Sequence, residues 1–238
     1  MKIHKIQLNS FIDIGKINLC IGNFDGFHLG HQKVIKILIK ESNILKIDSA
    51  LMSFIPHPRK FFSGLHNNFD IISDDHKIKF LQDIGIKHYI LLNFDQSLAS
   101  LTPEDFIEKI LVEKFNILNL FIGNDFKFGK NRQGNVKLLK EKSLIYNFNV
   151  KVIEQVKSKK SSEILSSSLV RKNIQEGKFK NVSSILGRNW CMEGKVVPGD
   201  KRASKMNFPT ANIIPPNTIH PKKGVYVVRI QYNNNSFN

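Results

Sequence analysis

His28 and His31 stand three residues apart in the run Gly22-Asn23-Phe24-Asp25-Gly26-Phe27-His28-Leu29-Gly30-His31, a spacing that lets two imidazoles share one face of a helix. Farther along, Ser166-Ser167-Ser168 is followed closely by Arg171, which adds hydroxyls and a planar, permanent cation. Imidazole, hydroxyl and guanidinium groups suit one task, the holding of phosphate oxygens. Gly22, Gly26 and Gly30 let the backbone turn sharply and let a ligand come close. The arrangement implies a polyphosphate facing two imidazoles and a ring of amides.

Those side chains act together only if the fold delivers them together. Ile17-Asn18-Leu19-Cys20-Ile21 reads as a short buried strand, and Gln32 to Lys40 carries Val34, Ile35, Leu38 and Ile39 at helical spacing. A strand therefore runs through a glycine loop into a helix whose first turn offers unpaired N–H groups and the positive end of its dipole. The loop lacks both the Gly-Lys-Ser/Thr of a P-loop and the G-x-G-x-x-G of a dinucleotide fold. A second strand is expected over 49–54, ending in Ile55-Pro56-His57-Pro58, and others over 88–92, 118–122 and 150–156. Helices are expected after Ser73-Asp74-Asp75 and Thr102-Pro103-Glu104-Asp105, over 136–144, and over 169–176. This alternation predicts an α/β fold, a Rossmann-like domain with a parallel sheet covered on both faces. Ligands in such folds collect at the carboxyl ends of the strands, where all the distinctive loops fall.

Phe54-Ile55-Pro56-His57-Pro58-Arg59, backed by Phe61 and Phe62, and Gly123-Asn124-Asp125-Phe126-Lys127-Phe128-Gly129 place aromatic residues at two of those strand ends. A flat ring could stack there, or the phenylalanines could simply pack in the core. Asp125 could accept hydrogen bonds from a ligand or cap a turn, and the serines could serve as plain helix caps. The order of all four segments is informative. H-x-G-H after a strand resembles the nucleotidyltransferase superfamily signature. The full glycine–histidine loop, the F-x-P-H-P segment, the G-x-D/N-F-x-F-G segment and Leu165-Ser166-Ser167-Ser168-Leu169-Val170-Arg171 together resemble the bacterial FAD synthetases, bifunctional riboflavin kinase/FMN adenylyltransferases. The resemblance implies attack by the FMN phosphate on the α-phosphorus of MgATP, giving FAD and pyrophosphate. It implies catalytic roles for His28, His31 and Arg171. It assigns ATP binding to Gly22, Asn23, Phe24, Asp25, Gly26, Gly30, Ser167 and Ser168, and flavin binding to His57, Pro58, Phe62, Asp125, Phe126 and Phe128.

Beyond Gly177 the pattern changes to strands joined by turns, over 193–200 and 224–230, and a boundary is expected near residue 186. The expected domains are 1–186, the adenylyltransferase, and 187–238, an incomplete β-barrel-type riboflavin kinase region. Residues 199–212 resemble the kinase stretch G-D-x-R-G-x-x-L-G-F-P-T-A-N, which would give Thr210 and Asn212 a role in holding Mg²⁺ and ATP. Ala203 and Asn207 replace two of its glycines, and the family's catalytic Glu belongs farther downstream. The expectation is a chain that forms FAD from FMN and does not phosphorylate riboflavin, either as a fragment or as a short form.

Composition narrows the classes without choosing among them. The chain has 238 residues, 41% of them hydrophobic and 24% charged, as in an ordinary globule with ample core. Thirty-six basic against 20 acidic residues give a net charge of +16, which favours anionic partners. The lysines are scattered through the chain, so nucleotide substrates are preferred to nucleic acid. Cys20 and Cys191 are too few for a zinc set or a disulfide framework. No apolar run approaches the roughly 20 residues that span a bilayer, and the amino terminus lacks the apolar segment of a signal peptide. A cytoplasmic enzyme without membrane partners is expected. Oligomeric state is not legible. The competing readings are another H-x-G-H adenylyltransferase, a class I aminoacyl-tRNA synthetase for which Lys205-Met206 is a poor signature loop, and a nucleotide- or flavin-binding module without turnover.

Overall fold

A computed structural model describes residues 1–64, 68–158, 162–198, 210–215, 217–232 and 235–237. In chain order the main region comprises β1 (Lys2–Ile6), β2 (Ile17–Ile21), α1 (Leu29–Leu45), β3 (Asp48–Ile55), α2 (Pro58–Ser63), α3 (Asp74–Ile84), β4 (His88–Asn93) and α4 (Gln96–Ala99). It continues with α5 (Pro103–Asp105), which runs into a π-helix over Phe106–Lys114, then β5 (Ile117–Gly123), α6 (Val136–Tyr146), β6 (Asn149–Ile153), α7 (Ser167–Gln175) and α8 (Phe179–Leu186). The six strands form one sheet in the order β1-β4-β3-β2-β5-β6, and every pair is parallel.

Strand periodicity divides the core in two. Leu19, Ala50, Met52, Leu120 and Ile122 face a cluster that includes Ile107, Ile110 and Leu111 of the π-helix and Leu139 of α6. Their neighbours Cys20, Leu51 and Phe121 face a second cluster built from Ile35 and Leu38 of α1, Leu81 of α3, Val170 and Ile174 of α7, and Val182 and Ile185 of α8. Both faces being covered, the central strands read as continuous apolar runs. Each fully buried leucine or phenylalanine contributes about 1.5–3 kcal/mol. Near the amino ends of the strands the buried amides of Asn18 and Asn119 are satisfied in a chain that starts at the surface, the exposed Asn149 donating to Asn119, Asn119 to Asn18, and Asn18 to Ser42.

Strand order places the reversal of winding between β2 and β5, because β2 leads to β3 on one side and β5 lies on the other. Their carboxyl ends therefore border the crevice where this class of sheet takes ligands. Helix α1 begins at that crevice with His28 as its cap. Helix α7 begins nearby, where Ser166 accepts from the Leu169 N–H.

Several local expectations are corrected. Phe61 and Phe62 lie within α2 and not in a loop, because Pro58 starts that helix and the His57 ring caps it by accepting from Arg59 N. The strand expected to reach Val156 ends at Ile153. Over 224–230, ladder pairing begins only at Ile230, where β9 (Ile230–Tyr232) meets β10 (Asn235–Phe237). Val225 and Val227 are fully exposed, and a strand without a partner has no ladder to hold it. Over 193–200, β7 (Lys195–Val197) pairs antiparallel with β8 (Asn212–Ile214). Positions 199–209, with most of the expected kinase stretch, lie outside the described residues.

Candidate active site

A cleft of about 990 Å³ opens across the carboxyl ends of β2, β3, β5 and β6, lined by Gly22, Asn23, Phe24, His28, Gly30 and His31 on one side and Ser166, Ser167, Ser168 and Arg171 on another. The two donor clusters, far apart in sequence, thus share one cavity. They are tied directly, since Ser167 Oγ donates to the Asp25 carbonyl at 2.8 Å.

The geometry of His28 fixes its chemistry. Its Nδ1 accepts from the N–H groups of Gly30 at 3.2 Å and His31 at 3.4 Å, so the neutral ring carries its proton on Nε2 and has that N–H to offer a ligand. Burial lowers its pKa to about 4. His31 stacks against it with ring centroids 3.7 Å apart, and burial together with the neighbouring His28 holds its pKa well below the ordinary value. His31 Nδ1 is buried with no hydrogen-bond partner among the described residues. Phe24 packs edge-on to the His31 ring at 5.1 Å.

Arg171 and Asp25 are placed differently from a pair of open ligand contacts. Arg171 Nη2 meets Asp25 Oδ2 at 2.5 Å, and its Nε donates to the Phe69 carbonyl. Asp25, 1% exposed, also accepts from Ile71 N. Burial pushes the Asp25 carboxyl up, against the pull of Lys77 and Arg171. Asp25 and Gly26 lie behind the loop and outside the cleft lining, Gly26 packing on Ile71. Arg171 reaches the lining with its charge already matched.

Aromatic side chains line the same cleft: Phe54, Phe62, Phe94, Phe126 and Phe128, together with His57, Pro58 and Asp125. Phe62 is 70% exposed and meets Phe94 at 5.8 Å, while Phe126 and Phe128 stack at 5.6 Å. Burial lowers the His57 pKa to about 4, with Arg171 adding to the effect. Of the residues given a catalytic or binding role from sequence, all but Asp25, Gly26, Thr210 and Asn212 line this cavity, and Phe61 beside Phe62 does not. Thr210 and Asn212 are exposed, Asn212 on β8. Lys127, Lys130 and Arg132 also line the cleft and carry no motif that marks them in the sequence. Arg59 joins them, its Nη1 donating to Ser168 Oγ at 3.2 Å. Lysine and arginine recur throughout so basic a chain, which hides the few that matter.

Among the described residues no group of three or more His, Cys, Asp or Glu side chains could hold a metal ion. The carboxylates of the cleft are Asp125 and Glu154. That donor set does not make a resident cation site, and a Mg²⁺ in the cleft would enter on the phosphates of the nucleotide.

The family described as FAD synthetase matches residues 13–169, and that described as riboflavin kinase matches residues 186–238. The chain belongs to the bifunctional riboflavin kinase/FMN adenylyltransferase family. A relative of that name from Buchnera aphidicola subsp. Schizaphis graminum is 38% identical, with 96% of this chain and 70% of the relative aligned. That from Haemophilus influenzae is 33% identical over 90% of this chain and 68% of its own length. That from Escherichia coli K12 is 30% identical over 89% and 67%. A solved structure described as a macrolide-efflux protein from Streptococcus pneumoniae superposes with a TM-score of 0.86 at 24% identity, covering 98% of this chain and 76% of that one. That likeness speaks to the fold alone. Family membership agrees with the α/β fold and with the adenylyltransferase reading.

Proposed function

We propose that this cleft makes FAD by transferring AMP from MgATP to the phosphate of FMN, with residues 1–186 forming the adenylyltransferase and 187–238 belonging to the riboflavin kinase region. One observation carries the reading: the stacked imidazoles and the serine–arginine turn border one cavity, which Phe54, Phe62, Phe126 and Phe128 also line. The triphosphate lies against Gly22, Asn23, Phe24, Gly30, His28, His31 and the start of α7. The flavin ring lies against His57, Pro58, Phe62, Asp125, Phe126 and Phe128.

In the reaction a phosphate oxygen of FMN attacks the α-phosphorus, a new P–O bond forms, and the bond to the β-phosphate oxygen breaks as pyrophosphate leaves. The protein contributes alignment and charge neutralisation. His28 donates from Nε2 to oxygens that gain charge as pyrophosphate departs, and its low pKa keeps it neutral and hydrogen-bonding at physiological pH. Ser168, Arg59 and the first-turn amides of α7 receive the opposite side of the nucleotide. Arg171 shapes that turn through Asp25 and adds a cation whose field is reduced by its partner.

The partners are small nucleotides and flavins, and the enzyme acts in the cytoplasm where both substrates are found. No helix among the described residues is long and apolar enough to cross a membrane. Incubation with MgATP and FMN should release pyrophosphate and FAD together. Pyrophosphate released without FMN, or no FAD from a folded protein, would refute the assignment.

A further inference from the structure

Arg188 follows α8 and sits in no motif, yet its guanidinium grips the glycine loop 160 or so residues earlier. Nη2 donates to the Gly26 carbonyl at 2.9 Å, and Nη1 donates to the Phe27 carbonyl at 3.2 Å and the Leu186 carbonyl at 3.4 Å. Gln32 Nε2 joins the same group, donating to Phe27 O at 2.7 Å and Leu186 O at 2.8 Å. The carbon at the centre of the guanidinium lies 5.0 Å from the Phe80 ring, which itself stacks on Phe27 at 4.4 Å.

The gripped segment is strained. Phe24 (φ 47°) and Phe27 (φ 45°) both occupy the left-handed region without being glycine, at a cost of order 1–3 kcal/mol each unless the surroundings hold them. The two peptide planes that Arg188 holds lead directly into His28, so they set where its Cα and ring stand. Gly187 (φ +70°) makes the approach possible. A Cβ there would fall 2.6 Å from Leu29 Cδ2, the side chain next to His28.

We propose that Arg188 is a positioning residue for adenylyl transfer, fixing the Gly26–Phe27–His28 backbone so that the His28 imidazole is aimed at the nucleotide. This rests on the reading of the cleft given above. Residues 186–238 are the part matched to riboflavin kinase, so a side chain from that part of the chain completes the adenylyltransferase site. The fork is needed because two neighbouring carbonyls must be held at once, which a single ammonium does poorly.

The test measures kcat and KM for ATP at saturating FMN in the full chain and in Arg188→Ala, Arg188→Lys and Gln32→Leu. Arg188→Ala should lose about ten- to a hundredfold in kcat, since small misplacements of a reacting group have effects of that size. KM for ATP should stay within about threefold. Free guanidinium ion at millimolar concentration should restore part of the Arg188→Ala activity and leave the parent unchanged. Arg188→Lys and Gln32→Leu should show smaller kcat losses, and they carry the test if Arg188→Ala does not fold. Parental kcat in any folded Arg188 variant overturns the proposal. So does a rise in KM alone, or a loss that follows the folded fraction by circular dichroism and is not answered by guanidinium. A parent protein that makes no FAD in the same assay refutes the functional reading instead.

Discussion

Arg171 Nη2 lies 2.5 Å from Asp25 Oδ2, joining the start of α7 to the loop before α1 across 146 residues of sequence. The pair is 12% and 1% exposed at its two side chains, so the Asp25 carboxyl has no water to fall back on and Arg171 meets solvent only through the cleft. It explains why a glycine loop and a serine turn, each unremarkable alone, face one cavity.

Removing one member should therefore cost far more than removing an exposed ion pair. Asp25→Ala strands the guanidinium and leaves Ile71 N without its acceptor, and should destabilise the protein by about 3–5 kcal/mol. Arg171→Ala should cost a similar amount and slow FAD formation by about a hundredfold. The double variant should be less unstable than the sum of the two, with a coupling above about 1 kcal/mol in urea denaturation. Additive single effects would show that the pair does not act as a unit.

His28 has two jobs that substitution can separate. It caps α1 through Nδ1 and presents Nε2 to the cleft. His28→Asn preserves a good cap and should leave stability within about 0.5 kcal/mol of the parent, whereas His28→Ala should lose about 1 kcal/mol. Both should slow adenylyl transfer by about a hundredfold, as expected for one lost oxyanion-type donor. Steady-state rates together with thermal unfolding check both parts.

Acid should destabilise the folded state before it touches most carboxylates. The His28 and His57 pKa values are depressed from 6.5 to about 4 by burial, so between those limits the unfolded chain binds more protons than the folded one. Their stabilising contribution is complete above pH 6.5 and is lost as pH falls toward 4. The slope of unfolding free energy against pH should be positive across that window, and His28→Asn should reduce it. For activity, kcat/KM for ATP reports the free enzyme, so its acid limb should show no inflection at 6.5 from His28.

Much of this was legible because buried parallel strands leave continuous apolar runs and helix caps leave short polar signatures. Ile17–Ile21 matches β2 residue for residue, and Ser73 caps α3. Edge strand β1 escaped notice because Lys2, Ile3 and Lys5 are exposed, leaving no clean alternation. Helix α2 was hidden because prolines that read as breakers serve here at a helix start. Long-range partners left no trace at all. Nothing local to Asp25 announces Arg171, and nothing near Gly26 announces Arg188, since a main-chain carbonyl accepts from any donor that the fold brings. Val225 and Val227 show the converse, a strand pattern without a ladder among the described residues to pair with.

Gly30 should behave as a spacer for the catalytic ring. A Cβ at this position would come within 2.9 Å of His28 Cε1 and 3.0 Å of its Nδ1. His31 already backs the His28 ring, so the displaced imidazole must move along the cleft wall. Gly30→Ala should keep the fold, because alanine favours a helix more than glycine does, while kcat falls about tenfold or more. A Gly30→Ala enzyme that is more stable and equally active would show that the ring's position is not critical.

Gly129 governs the aromatic wall in a different way. It adopts φ +69°, and a Cβ there would stand 2.8 Å from Pro103 N and 2.9 Å from Pro103 Cα, backbone that cannot swing aside. Relief has to come from the segment carrying Phe126 and Phe128, whose main chain is pinned to Gly134 by the Phe128 N–H and carbonyl. Gly129→Ala should lose about 1–3 kcal/mol of stability from the strained conformation. Because the shift falls on the aromatic side of the cleft and not on the histidine loop, KM for FMN should rise several-fold while KM for ATP holds. Equal changes in both constants would place the two substrates on a common wall and contradict the division proposed for this cavity.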